Sequence, residues 1–110
     1  MTFDEYQKQA LTTVISSDDA FKDTLHWVLG ICGEAGEVAE KVKKIIRDKN
    51  GVVSEEDKTE IAKELGDVLW YLAVFAHEMG KSFDEVATTN LKKLQDRKAR
   101  GTLRGSGDNR

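Results

Sequence analysis

The chain contains no proline. Nothing in it forces a break inside a helix, so an all-helical reading meets no covalent obstacle. A single cysteine, Cys32, cannot close an intramolecular disulfide. That excludes a disulfide-stapled scaffold and leaves Cys32 to act as a small apolar residue. Long apolar runs are missing too. The longest apolar-rich stretch, residues 68–76, falls far short of the roughly 20 residues a membrane-spanning helix needs, so no membrane partner is expected. Nor is there an excess of positive charge. The 17 Lys and Arg against 20 Asp and Glu leave a formal net charge of −3. Binding duplex nucleic acid takes a basic stripe, so that partner is not expected either. The N-terminus, Met1-Thr2-Phe3-Asp4-Glu5, is acidic where a signal peptide is basic, which makes a cytoplasmic location the default expectation.

What is present points to one small helical domain. The 110 residues suit a single domain over 1–100, followed by an irregular Gly-, Ser- and Asn-rich tail over 101–110. Thr2-x-x-Glu5, Ser54-x-x-Asp57 and Ser82-x-x-Glu85 each place a hydroxyl at a helix start with a carboxylate three residues on. Asn50-Gly51, Gly80 and Gly101 are matching stop signals. These marks predict four helices, at about 3–16, 22–48, 54–79 and 82–100, with the second broken or kinked near its glycines. A core this small is often completed by oligomerisation.

The informative pattern lies in the two central helices. The second carries Glu34 and Glu37 and the third Glu64 and Asp67, each pair spaced i, i+3 and so on one helical face. A short connection implies an antiparallel hairpin in which the pairs can meet. The expected core stripes run beside them: Val28, Cys32, Ala35, Val38, Ala39, Val42 and Ile46 on the second helix, and Ile61, Leu65, Val68, Leu72, Phe75 and Met79 on the third. Four converging carboxylates in a partly desolvated cleft call for raised pKa values or a cation. All-oxygen ligands favour Mg²⁺ or Mn²⁺ over zinc. A solvated face with Glu at i and i+3 is the ordinary alternative. Against it stand Gly30, Gly33, Gly36 and Gly66, inside helices where each costs about 1 kcal/mol relative to Ala. Glycines so placed imply that a neighbouring helix or a ligand comes close to the backbone.

Gly33-Glu34-Ala35-Gly36-Glu37-Val38-Ala39-Glu40 and Lys63-Glu64-Leu65-Gly66-Asp67-Val68-Leu69-Trp70-Tyr71-Leu72 resemble the MazG-like nucleotide pyrophosphohydrolases, within the all-α nucleoside triphosphate pyrophosphatase superfamily. The family signature is Glu-x-x-Glu, a variable gap, then Glu-x-x-Asp. Asn90-Leu91-Lys92-Lys93-Leu94, with Arg97 after it, is similar to the family's last-helix element. The resemblance implies a four-helix bundle, Mg²⁺ held by Glu34, Glu37, Glu64 and Asp67, and a homodimer or a dimer of dimers. It implies hydrolysis of a (deoxy)nucleoside triphosphate to the monophosphate and pyrophosphate, in nucleotide-pool sanitising or control.

Roles follow for the remaining residues. Glu37 is the candidate base for the attacking water. Asn90, Lys93 and Arg97 are candidates to hold the phosphates, against the alternative of a basic helix end that favours its own dipole. Trp27, Trp70, Tyr71 and His26 are candidates to contact the base, against the alternative that the large aromatics serve a core or an interface. Two other functions compete. A di-iron carboxylate bundle needs Glu-x-x-His pairs, and only Asp23-x-x-His26 comes near one. A non-catalytic helical module would bind metal or a partner with no chemistry.

Overall fold

A computed structural model describes all 110 residues. It contains four helices and no strand: α1 (Phe3–Leu11), α2 (Ala20–Lys49), α3 (Glu55–Glu78) and α4 (Phe83–Ala99). The start signals work as read. Thr2 and Ser54 form complete capping boxes with Glu5 and Asp57. Ser82 accepts from the Glu85 N–H, while the Glu85 carboxylate turns to Lys81 instead. Asp19, not singled out from sequence, caps α2 by accepting from the N–H groups of Phe21 and Lys22. The hairpin between α2 and α3 turns on Asn50 and Gly51, both with positive φ (52° and 77°).

Two helix readings need correction. The first helix stops at Leu11 rather than Ser16. Thr12 and Thr13 open a β-branched run, and their hydroxyls donate back to the carbonyls of Gln9 and Ala10 (2.6 and 2.7 Å), closing the helix. The chain then runs on to Ser17, whose N–H and hydroxyl are both caught by the buried Asp23 carboxylate. The glycines of α2, in turn, do not break it: its 30 residues form one continuous helix.

The core differs more deeply from expectation. α2 packs only on α3, while α3 also meets α1 and α4. The face α2 turns toward α3 includes Trp27, Gly30, Glu34, Lys41 and Ile45, the flanking stripe and not the apolar one. The apolar stripe looks outward: Val28, Val42 and Ile46 are 37, 41 and 65% exposed. On α3, Leu65 and Leu72 are likewise exposed, as is Met79 just past its end, and the buried positions are Ala73 and Val74. Only nine residues are buried, and the radius of gyration is 17.0 Å, against roughly 13 Å for a compact chain of this length. The four helices do not close a bundle within one chain.

What ties α1 to the rest is one buried amide. Gln7 donates to the carbonyls of Ala73 and Lys81 and accepts from the Phe83 N–H. Phe3 packs edge-on to Phe83 beside it, and Asp4 accepts from the Asp84 N–H. Residues 101–110 carry no helix and fold back on α4. Arg110 donates to three tail carbonyls, and Arg100 donates to the Arg110 carbonyl.

The turn between α2 and α3 carries an acid-sensitive clasp. Lys49 Nζ lies 2.7 Å from the Asp57 carboxylate, which also accepts from the Ser54 N–H. Those bonds hold the Asp57 carboxyl down at about 2. A depressed carboxylate stabilises the fold above its unfolded value near 4 and loses that contribution as pH falls through its folded value. Thermal melts should therefore show Asp57→Asn less stable than the parent at neutral pH, with the gap closing as pH approaches about 2. A gap that stays constant across that range would refute this assignment.

Candidate metal centre

Glu34 sits in the middle of α2, and Glu64 and Asp67 lie one turn apart on α3. Antiparallel pairing brings one carboxylate oxygen from each within 4.8 Å of the others. Glu34 and Glu64 are half-buried and Asp67 is exposed. Burial, followed by the negative charges of Asp67, Glu64 and Glu37, pushes the Glu34 carboxyl above its ordinary value. Glu37 itself is exposed and lies outside the group of three. It stands at the rim, near enough for its charge to act on Glu34.

The donor set fits a hard divalent cation. All three donors are carboxylate oxygens, with no sulfur or imidazole among them. Opposed ligands of an octahedral Mg²⁺ lie roughly 4 Å apart. Oxygens already within 4.8 Å need only a small side-chain adjustment to share such an ion.

An aromatic cluster adjoins the acids. Tyr71 follows Asp67 by one turn, and its ring fills the space that a side chain at Gly30 would take: a Cβ there would fall 2.2 Å from Tyr71 Cε1. Trp70 meets Tyr71 and Trp27 edge-on (4.9 and 5.8 Å), and His26 stacks on Trp27 at 4.8 Å. So the four expected base contacts do lie together, but they differ in access. Trp27 is 2% exposed, with its indole N–H donating to Glu78, and it occupies a core position. Trp70 is half-buried and donates to Thr13. Tyr71 is half-buried, and His26 is exposed.

The expected phosphate ligands are engaged elsewhere within one chain, on an α4 that packs against α1 and α3 but not α2. Asn90 is exposed on α4. Lys93 and Arg97 both bind Asp108 of the folded-back tail. Lys93 Nζ and Arg97 Nη2 lie 2.8 and 3.2 Å from its Oδ1, and Arg97 also donates to the Asp108 carbonyl. Arg97 is 5% exposed, and its Nε has no hydrogen-bond partner.

Three contributors escaped the sequence reading. Lys41 lies 3.3 Å from Glu64 Oε1, a contact across two helices that nothing in its own stretch of sequence marks. Tyr6 of α1 is close enough to Asp67 that burial and that charge both raise its phenol above the ordinary value. No periodicity could have linked α1 to α3 in that way. Asp108 lay in a tail without pattern.

The interior glycines also separate. Gly30 is crowded by Tyr71, but a Cβ at Gly33, Gly36 or Gly66 would meet nothing within 4 Å. The close approach expected at all four is made within the chain only at Gly30. Gly30→Ala should destabilise by about 1 kcal/mol net, since overpacking of about 1–3 kcal/mol exceeds the helix-propensity gain. Gly33→Ala should not lower stability. Paired thermal melts in which Gly30→Ala matches or exceeds the parent would contradict this packing.

No helix is long and apolar enough to cross a membrane. Comparison with solved structures finds no match. The gene 37 protein of Mycobacterium phage L5 is 45% identical over 114 aligned positions spanning the whole of both chains. The MazG nucleotide pyrophosphohydrolase domain matches residues 22–101, from the start of α2 to just past α4, and takes in all three converging carboxylates. The chain belongs to the MazG nucleotide pyrophosphohydrolase family.

Proposed function

We propose that this protein hydrolyses a (deoxy)nucleoside triphosphate to the monophosphate and pyrophosphate in a Mg²⁺-dependent reaction, with Mn²⁺ as a substitute. The work would be nucleotide-pool sanitising or control in the cytoplasm. The observation that carries the reading is the convergence of Glu34, Glu64 and Asp67 inside a matched MazG domain. Glu34, Glu64 and Asp67 would hold the cation, with Glu37 at the rim. Bound there, the cation would neutralise the cluster and polarise a phosphoryl oxygen. Water adds to the α-phosphorus, the bridging bond to the β-phosphate breaks, and pyrophosphate leaves. Glu37, exposed at the rim, would accept the water's proton.

Tyr71, one turn from Asp67, and His26 would supply the accessible ring surface for the base, with Trp27 and Trp70 backing them. Asn90, Lys93 and Arg97 would engage the phosphates. Asp108 supports an anion site there, since its carboxylate already occupies the space between the two cations. With Lys93 and Arg97 both taken up by Asp108 of their own tail, those cations would act on the site of a second copy. The outward stripe Ala35, Val38, Ala39, Val42 and Ile46 repeats at i, i+3, i+4, i+7 and i+11, a helix-pairing pattern without an intrachain partner. A homodimer or a dimer of dimers would cover it.

Incubation of the purified protein with Mg²⁺ and a panel of common and modified nucleotides should release pyrophosphate. Glu64→Gln should lower the rate by at least about 100-fold with helix content unchanged, since even outer-shell partners of a metal typically cost 10–100-fold. Release of orthophosphate alone, or of nothing, would refute the reaction. Sedimentation should show a dimer or larger, shifted toward monomer by Ile46→Glu. A monomeric parent protein would refute the assembly.

A further inference from the structure

The acidic centre already contains a cation of its own. Lys41 projects from α2 two turns beyond Glu34, and its ammonium lies 3.3 Å from Glu64 Oε1. Both partners are half-buried, with 32% and 19% of their side-chain surface exposed, so water screens this pair less than the outer ion pairs of the molecule. The lysine–carboxylate pairs local in sequence, Lys43–Glu40, Lys44–Glu40, Lys58–Glu55, Lys63–Glu60 and Lys81–Glu85, have both members at least 42% exposed. Lys41 is therefore the one lysine that reaches across the α2–α3 interface into the cluster.

We propose that Lys41 is the resident counter-ion of the metal site, holding Glu64 until a divalent cation displaces it and so setting the metal concentration at which the site fills. This rests on the reading of Glu34, Glu64 and Asp67 as the metal ligands. The physical reason is direct. A carboxylate oxygen paired with an ammonium must give up that pair before it binds a metal, and a unit positive charge a few ångströms away repels the incoming ion. Lys41 also has somewhere to go. It borders a polar cavity of about 210 Å³ whose lining includes Glu60, one turn toward the start of α3. Glu60, paired chiefly with Lys63, also feels the charge of Lys41. A swing from Glu64 toward Glu60 keeps the ammonium paired while freeing an oxygen for the metal. Lys41 is thus a positioning residue: it acts through Glu64.

The test is calorimetric titration of the full chain with Mn²⁺, comparing the parent protein with Lys41→Gln and Lys41→Arg. Lys41→Gln should bind Mn²⁺ about three- to tenfold more tightly, and its melting temperature should rise more on Mn²⁺ addition. Lys41→Arg, which keeps the charge, should stay within about twofold of the parent. Equal affinity in the parent and Lys41→Gln, or weaker binding by Lys41→Gln, would overturn the proposal while leaving the metal site intact. Absence of Mn²⁺ binding in all three proteins would overturn the metal site and the proposal together. If Lys41→Gln fails to fold, Lys41→Met is titrated in its place and carries the same expectation.

Discussion

Three like charges held within 4.8 Å across one helix pair are the constraint on which this molecule is built. Such a group repels itself, and burial together with that repulsion raises the Glu34 carboxyl. α2 and α3 must therefore be held together by other means. At one end of the hairpin, the left-handed Asn50-Gly51 turn and the Lys49–Asp57 clasp fix the register. Near the other, Tyr71 lies against the bare backbone of Gly30, and Trp27 is buried with its N–H on Glu78. The acids sit between these fastenings, where neither helix can withdraw them from the other.

That arrangement explains why so little of the chain is buried. α2 gives α3 the face that carries Glu34, Lys41 and a glycine, not the face richest in valine and isoleucine. Its apolar stripe is left without a partner, because α1 and α4 pack elsewhere. Burial of apolar surface is the main favourable term in folding, at about 25 cal/mol per Å². A chain that spends its longest interface on charged groups has reason to recover burial from another copy of itself.

Much of this was legible in the sequence, for identifiable reasons. Local chemistry carried the helix starts and stops: a hydroxyl three residues before a carboxylate, or a glycine after a periodic run, acts within its own few residues. The i, i+3 spacing placed Glu64 and Asp67 together, and the short turn placed Glu34 opposite them. Orientation about the helix axis was harder. On α2 the apolar and acidic stripes adjoin, and periodicity does not say which of two neighbouring faces meets the partner. The usual preference for apolar contact pointed the wrong way, as exposed Val42 and Ile46 show. Contacts distant in sequence left no local trace at all. Gln7 in the α3–α4 turn and Asp108 on Lys93 and Arg97 join residues whose types alone are unremarkable. Helix α1 ended early because its β-branched residues and back-bonding hydroxyls close it before Ser16.

The central claim is that Glu34, Glu64 and Asp67 share one divalent cation. The most direct measurement is an anomalous difference map from a crystal of the full protein soaked in Mn²⁺. The account requires a strong peak among those three carboxylates, at about 2.2 Å from an oxygen of each. A peak confined to other surface acids, or none at saturating Mn²⁺, would contradict it.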